Sequence, residues 1–185
     1  DSTFLLKLAN DVLGKNVIAI TAHSSVNPDW EYGEALEFAK KLGIKHIILD
    51  INITEMEDFR RNPENRCYFC KKEIFTRIQK AARDHGISNV ADGSNIDDLS
   101  DYRPGMLALK ELGVHSPLRE AGFTKNEVRK ASKELGLPTW DKPAFACLAS
   151  RIPYGDEITK EKLQMIERAE EYLFSLGFRQ LRVRH

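Results

Sequence analysis

Apolar residues at Phe4, Leu5, Leu8, Ala9 and Val12 recur with a helical period and stop at Gly14, so the chain opens on an amphipathic helix with a glycine at its end. Asn16 to Thr21 follows as a short β-branched run of the kind that fills a buried parallel strand. The alternation then repeats. Trp30 to Lys41 reads as a helix ending at Gly43, and Lys45 to Asp50 as a strand. Phe75, Ile78, Ala81 and Ala82 make the next helix amphipathic until Gly86, and Asn89-Val90-Ala91 is the next expected strand. Thr124 and Glu127 have the spacing of a capping box, opening a helix that stops at Gly136 with Pro138 beyond. A final helix from Thr159 to Leu176 leads into a strand from Gln180.

Strands alternating with helices predict an α/β fold, a mostly parallel sheet with helices on both faces. Residues 1–153 are expected to form the main domain. Residues 154–185 are expected to begin a smaller C-terminal region for substrate binding or oligomerisation. The stretch Leu181-Arg182-Val183-Arg184-His185 reads as a strand cut in mid-course, so the expectation is a piece of a longer protein. In such sheets ligands bind beyond the carboxyl ends of strands, where loops meet helix N-termini. Asp1-Ser2-Thr3, Thr21-Ala22-His23-Ser24-Ser25 and the loop from Asp92 to Asp98 fall there.

Composition narrows the class. The chain has 185 residues, 42% of them hydrophobic, with 28 basic side chains balanced by 28 acidic ones. That suffices for one ordinary domain with its own core. The lack of a long apolar run argues against a transmembrane helix, and no secretory signal is visible. Neutral charge weighs against a large nucleic-acid footprint, so no nucleic-acid partner is expected. Arg60, Arg61, Arg66, Lys71 and Lys72, then Arg179, Arg182 and Arg184, form local basic clusters that read mostly as solvated faces.

Three cysteines without secretory features point to a reducing, cytoplasmic interior. Cys67 and Cys70 lie three residues apart at the start of a helix, on one face of its first turn. Cys147 stands in an irregular stretch beside Ser150 and Arg151. A zinc site closed by thiols wants four of them, whereas a cubane iron–sulfur cluster held by three cysteines keeps one iron open. Unrelated core thiols, a redox pair, or zinc completed by His23, His46, His85, His115 or His185 are the other readings. No histidine lies within a few residues of a cysteine.

Asp1-Ser2-Thr3 opening a helix is an ordinary N-cap or the tail of an anion-holding loop. Taken with the motifs downstream, it resembles the last residues of the S-G-G-x-D-S loop of the PP-loop ATP pyrophosphatase superfamily. The stretches Asn65 to Lys72, Asp92 to Asp98, Asp101 to Gly105, Ser116 to Leu118, Leu137 to Pro143 and Cys147 to Gly155 resemble the LarE family nearly end to end. LarE proteins are ATP-dependent sulfur transferases of nickel-pincer cofactor synthesis.

The resemblance implies adenylation of the carboxylates of pyridinium-3,5-dicarboxylate mononucleotide and their replacement by thiocarboxylates. It implies ATP and Mg2+ as cofactors, with Asp1, Ser2, Thr3, Ala22, Gly93 and Asn95 near the nucleotide. Asp97 and Asp98 read as Mg2+ ligands or as helix N-terminal charges. Arg182 and Arg184 match a pair that grips the substrate phosphate, although alternating arginines also suit an exposed strand face.

Family members with one cysteine at the position of Cys147 sacrifice its sulfur, whereas members with three hold a [4Fe-4S] cluster. Cys67, Cys70 and Cys147 place this chain with the latter, with inorganic sulfide or another donor supplying sulfur and Ser150 and Arg151 lining the same pocket. A homo-oligomer is expected. Rival readings are a tRNA thiolase of the same superfamily and a non-catalytic nucleotide-binding or iron–sulfur module.

Overall fold

The computed structural model describes residues 1–99 and 104–185. The Asp101-Tyr102-Arg103 part of the stretch from Asp101 to Gly105 lies outside the described residues. Helix α1 (Ser2–Leu13) leads through a short 3-10 turn into strand β1 (Ile18–His23), and helix α2 (Asp29–Lys41) leads into strand β2 (Lys45–Asp50). The strands pair in parallel, from Ile18 opposite Lys45 to His23 opposite Asp50, as a βαβ crossover requires. Helices α3 (Glu57–Arg60), α4 (Arg66–Asp84), α5 (Pro104–Glu111), α6 (Pro117–Glu120), α7 (Lys125–Glu134) and α8 (Lys160–Ser175) follow. The result is the expected mixed α/β fold with a parallel sheet flanked by helices.

Local chemistry explains several boundaries. Gly14 takes φ 54°, a left-handed conformation that closes α1. The capping box of α7 forms as its spacing predicts: Thr124 Oγ1 accepts from the Glu127 amide, and the Glu127 carboxylate accepts from the Thr124 amide at 2.8 Å.

Two expected strands are corrected. Asn89-Val90-Ala91 makes a single parallel bridge, Ala91 to His115, with the Asp92 and His115 amides each donating at 2.9 Å. Its only apolar residues are Val90 and Ala91, and Ala91 is exposed, so no buried face drives a longer ladder. The segment from Gln180 is not a strand either. Its amides are satisfied elsewhere, Val183 N–H by Glu170 Oε1 at 3.0 Å and His185 N–H by the Arg151 carbonyl at 3.1 Å. Among the described residues the sheet therefore has two strands.

Two apolar clusters hold these elements. One joins Val26, Ile51, Ile53 and Phe59 to Leu148, Ala149 and Ile152 and then to Ile158, Leu163 and Ile166 around α8. The other joins Phe4 of α1, Phe38 of α2, Leu118 of α6 and Val128 of α7 to Leu137.

Through the first cluster runs a buried ion pair. Arg151 donates Nε to Glu170 Oε1 at 2.8 Å and Nη2 to Oε2 at 3.0 Å, with side-chain exposures of 1% and 4%. A fork-to-fork pair of this kind is strong while both partners remain, and removal of one leaves an uncompensated buried charge. Glu170→Ala should therefore cost about 3–5 kcal/mol in urea unfolding, and the double replacement Arg151→Met with Glu170→Leu should cost less than either single loss. Additive single and double losses would contradict the coupling.

Candidate functional site

Helix α4 carries Cys67 and Cys70 on its first turn, and Cys147 precedes the 3-10 turn Leu148–Arg151. Cys70 and Cys147 pack half-buried against the first cluster, while Cys67 is exposed. The fold brings the three into mutual range: Cys147 and Cys67 both act electrostatically on Cys70, and Cys67 acts on Cys147. Burial is the largest effect on the buried pair. It pushes the Cys70 thiol up to about 12, with the other two thiols adding to the rise, and it raises Cys147 as well. Such thiols stay protonated at neutral pH unless a bound cation compensates the thiolate.

Among the described residues no three His, Cys, Asp or Glu side chains gather as the ligands of one metal ion. A cubane is a different target, because each thiolate binds a different iron and the three ligands stand farther apart. A positive surround suits its anionic ligands: the charges of Arg66 and Lys71 act on Cys70, and those of Arg66 and Arg151 on Cys147. Three thiols with cations acting on them are a donor set compatible with a three-cysteine iron–sulfur cluster.

Two clamps fix the Cys147 turn against α4. Arg151, 2% exposed, extends Nη1 to the carbonyls of Ala146 and Cys147 and to Ser150 Oγ, the last two at 3.0 Å. Its guanidinium is thus committed to Glu170 and to the turn itself, so Arg151 positions Cys147. The second clamp is Asn62, fully buried and held at φ 54°. Asn62 Nδ2 donates to the carbonyls of Pro153 at 2.7 Å and Asp156 at 2.9 Å, and its Oδ1 accepts from Arg66 Nη1 at 2.7 Å. The Arg66 guanidinium in turn lies 4.4 Å from the centroid of the Tyr154 ring. Asn62 escaped the sequence reading. Nothing in its neighbourhood marks a non-glycine residue for a left-handed conformation.

A second constellation forms at the start of α1. Asp1 accepts from Asn95 Nδ2 at 3.0 Å through one oxygen and from Lys125 Nζ at 2.6 Å through the other. A Cβ on Gly93 would stand 2.7 Å from the Ser2 amide nitrogen, so only glycine permits this approach of loop to helix. Asp92 organises the loop, accepting from Ser94 Oγ at 2.5 Å and Ser116 Oγ at 2.7 Å. Asp97 accepts from the Lys125 amide at 2.8 Å, at the first residue of α7, in keeping with a helix N-terminal charge.

Asp1, Ser2 and Thr3 line a cleft of about 690 Å³ together with Glu31 and Glu34 of α2 and with Lys125, Thr139 and Lys142, the last ion-paired with Glu34. The size suits a nucleotide-sized ligand. Thr3 and Thr139 hydroxyls meet at 2.6 Å, tying the 138–143 wall to α1. Ala22 lies elsewhere, packed against the first cluster. Lys125 and Thr139 join the site without any sequence signal beyond the capping box and the Leu137 to Pro143 stretch. Lys71 of α4 bridges the two constellations, its Nζ 3.9 Å from Asp92 Oδ2.

Arg182 and Arg184 are exposed and alternate with half-buried Leu181 and Val183. Backbone bonds to Glu170 and Arg151 anchor this segment beside the Cys147 clamp.

No profile of a known protein family matches the chain. It is 52% identical over its whole length to an uncharacterized protein of Synechocystis sp., spanning 69% of that protein. It is 39% identical, again over all 185 residues, to the pyridinium-3,5-bisthiocarboxylic acid mononucleotide synthase of Lactiplantibacillus plantarum, spanning 67% of it. It also resembles a component of the glutamine-hydrolyzing GMP synthase of Thermoplasma volcanium, 27% identical over 181 residues that cover 90% of this chain and 57% of that one. Full-length identity at this level to a named synthase shows an enzyme and its relatives: the chain belongs to the LarE family of the PP-loop superfamily.

Proposed function

We propose that the chain is an ATP-dependent sulfur transferase that converts the carboxylates of pyridinium-3,5-dicarboxylate mononucleotide into thiocarboxylates. The observation that carries this reading is the gathering of Cys67 and Cys70 with Cys147 in a chain 39% identical to the thiocarboxylate-forming synthase.

In this reading the amides at the start of α1, with Asp1, Ser2 and Thr3, hold the ATP phosphates with Mg2+, and Gly93 and Asn95 close the loop against them. A substrate carboxylate oxygen attacks the α-phosphorus, pyrophosphate leaves, and an acyl adenylate forms. A sulfur nucleophile then adds at the acyl carbon, and AMP departs with the original carboxylate oxygen. Cys67, Cys70 and Cys147 would hold a [4Fe-4S] cluster, which would supply a site for exogenous sulfur and so allow turnover without loss of Cys147 sulfur. Arg151 and Ser150 fix the Cys147 turn, and Arg182 and Arg184 grip the substrate phosphate from the adjoining segment. A homo-oligomer in a reducing cytoplasm, taking inorganic sulfide as donor, completes the proposal.

Anaerobic protein supplied with iron and sulfide should carry about four irons per chain. With ATP, substrate and sulfide it should then release pyrophosphate and form more than one product per chain at unchanged intact mass. Stoichiometric loss of about one H2S from the chain would show instead that Cys147 is consumed, and pyrophosphate release without substrate dependence would remove the proposed reaction.

Gly93→Ala should displace the loop from Ser2 and lower substrate-dependent pyrophosphate release about 10²-fold, while far-UV circular dichroism stays native. Full activity would detach that contact from the nucleotide site.

Arg182→Ala and Arg184→Ala should each weaken mononucleotide binding by about one to two decades and spare ATP, as measured by calorimetry. Equal weakening for both ligands would argue against a dedicated phosphate grip.

A further inference from the structure

Arg66 is only 5% exposed, yet its Nε–H has no hydrogen-bond partner among the described residues. Nη1 is bound to Asn62, and the guanidinium lies against the Tyr154 ring. No carboxylate of the described residues comes within ion-pair distance. A buried cation with an unused donor is costly unless something anionic completes it. Its place points to what that is. Arg66 is the first residue of α4, directly before Cys67 and four residues, about one turn, ahead of Cys70 on the same helix face. Its orientation is also fixed independently of the cysteines, by Asn62 on one side and an aromatic face on the other. Three thiolates around an iron–sulfur core leave a net negative charge, and groups just beyond the ligands tune such centres by charge and by hydrogen bonds.

We propose that Arg66 is the built-in counter-ion of the three-cysteine site, a positioning residue whose free Nε–H and buried charge stabilise the anionic iron–sulfur group there. The inference rests on the reading that Cys67, Cys70 and Cys147 hold such a cluster. A cation beside a cluster favours its reduced, more negative state, so the reduction potential reports the role directly, which a merely structural residue would leave unmoved.

The test uses full-length protein reconstituted anaerobically with iron and sulfide, as wild type, Arg66→Gln and Arg66→Lys, with iron content and an EPR-monitored redox titration for each. Arg66→Gln should make reduction at least tenfold less favourable, a fall of about 59 mV for one electron, and Arg66→Lys should lie between it and wild type. Loss of iron in Arg66→Gln with retention in Arg66→Lys, at unchanged circular dichroism, would support the same role. Equal iron content and equal potentials across the three proteins would overturn it. A wild type that takes up no iron would instead overturn the cluster reading on which it rests.

Discussion

The pairing of Arg151 with Glu170 is the constraint on which the rest of the molecule's chemistry depends. One guanidinium satisfies a carboxylate of α8 and also holds the turn that presents Cys147. The carboxylate it meets accepts in turn from Val183, and the Arg151 carbonyl accepts from His185. The Cys147 turn, the last helix and the arginine-bearing segment therefore share one polar centre inside an apolar cluster. Such a centre is not needed for stability as such, because apolar residues of similar volume would pack there as well. What it confers is relative placement.

That placement keeps two differently built regions apart. The cleft at the start of α1 is lined by Asp1, Ser2 and Thr3 together with long charged side chains of both signs, Glu31 and Glu34 among them with Lys125 and Lys142. Cys70 and Cys147 are partly buried while Cys67 is exposed, and the charges of Arg66, Lys71 and Arg151 act on the less exposed pair. Lys71, within reach of Asp92 and influencing Cys70, sits where the two environments meet.

Much of this was readable along the chain, and the exceptions share a cause. Helices α1, α2, α4, α7 and α8, their glycine stops and the α7 capping box follow from local periodicity and local hydrogen bonding, so one segment at a time suffices to find them. The cysteine set was likewise legible, since its count and spacing restrict the chemistry. Asn89-Val90-Ala91 and the segment from Gln180 look like strands locally, but pairing is decided by a neighbour that local pattern does not reveal. Asn62 and Lys125 act through partners far away in sequence, and Arg151 looks like a pocket residue until its carboxylate partner is found.

The Asn62 clamp has a kinetic consequence. It joins positions 91 and 94 residues apart, so it closes only after the chain through Asp156 has been made and folded back. Helix α4, with Cys67 and Cys70, can form from local contacts well before that, whereas the Cys147 turn reaches it only on closure of the long loop. During that interval the first two thiols form an incomplete, solvent-facing pair. Convergence of all three thiols is therefore a late event, coupled to closure of that long loop. A newly made chain passes through a stage in which it is most exposed to oxidation or to the wrong metal.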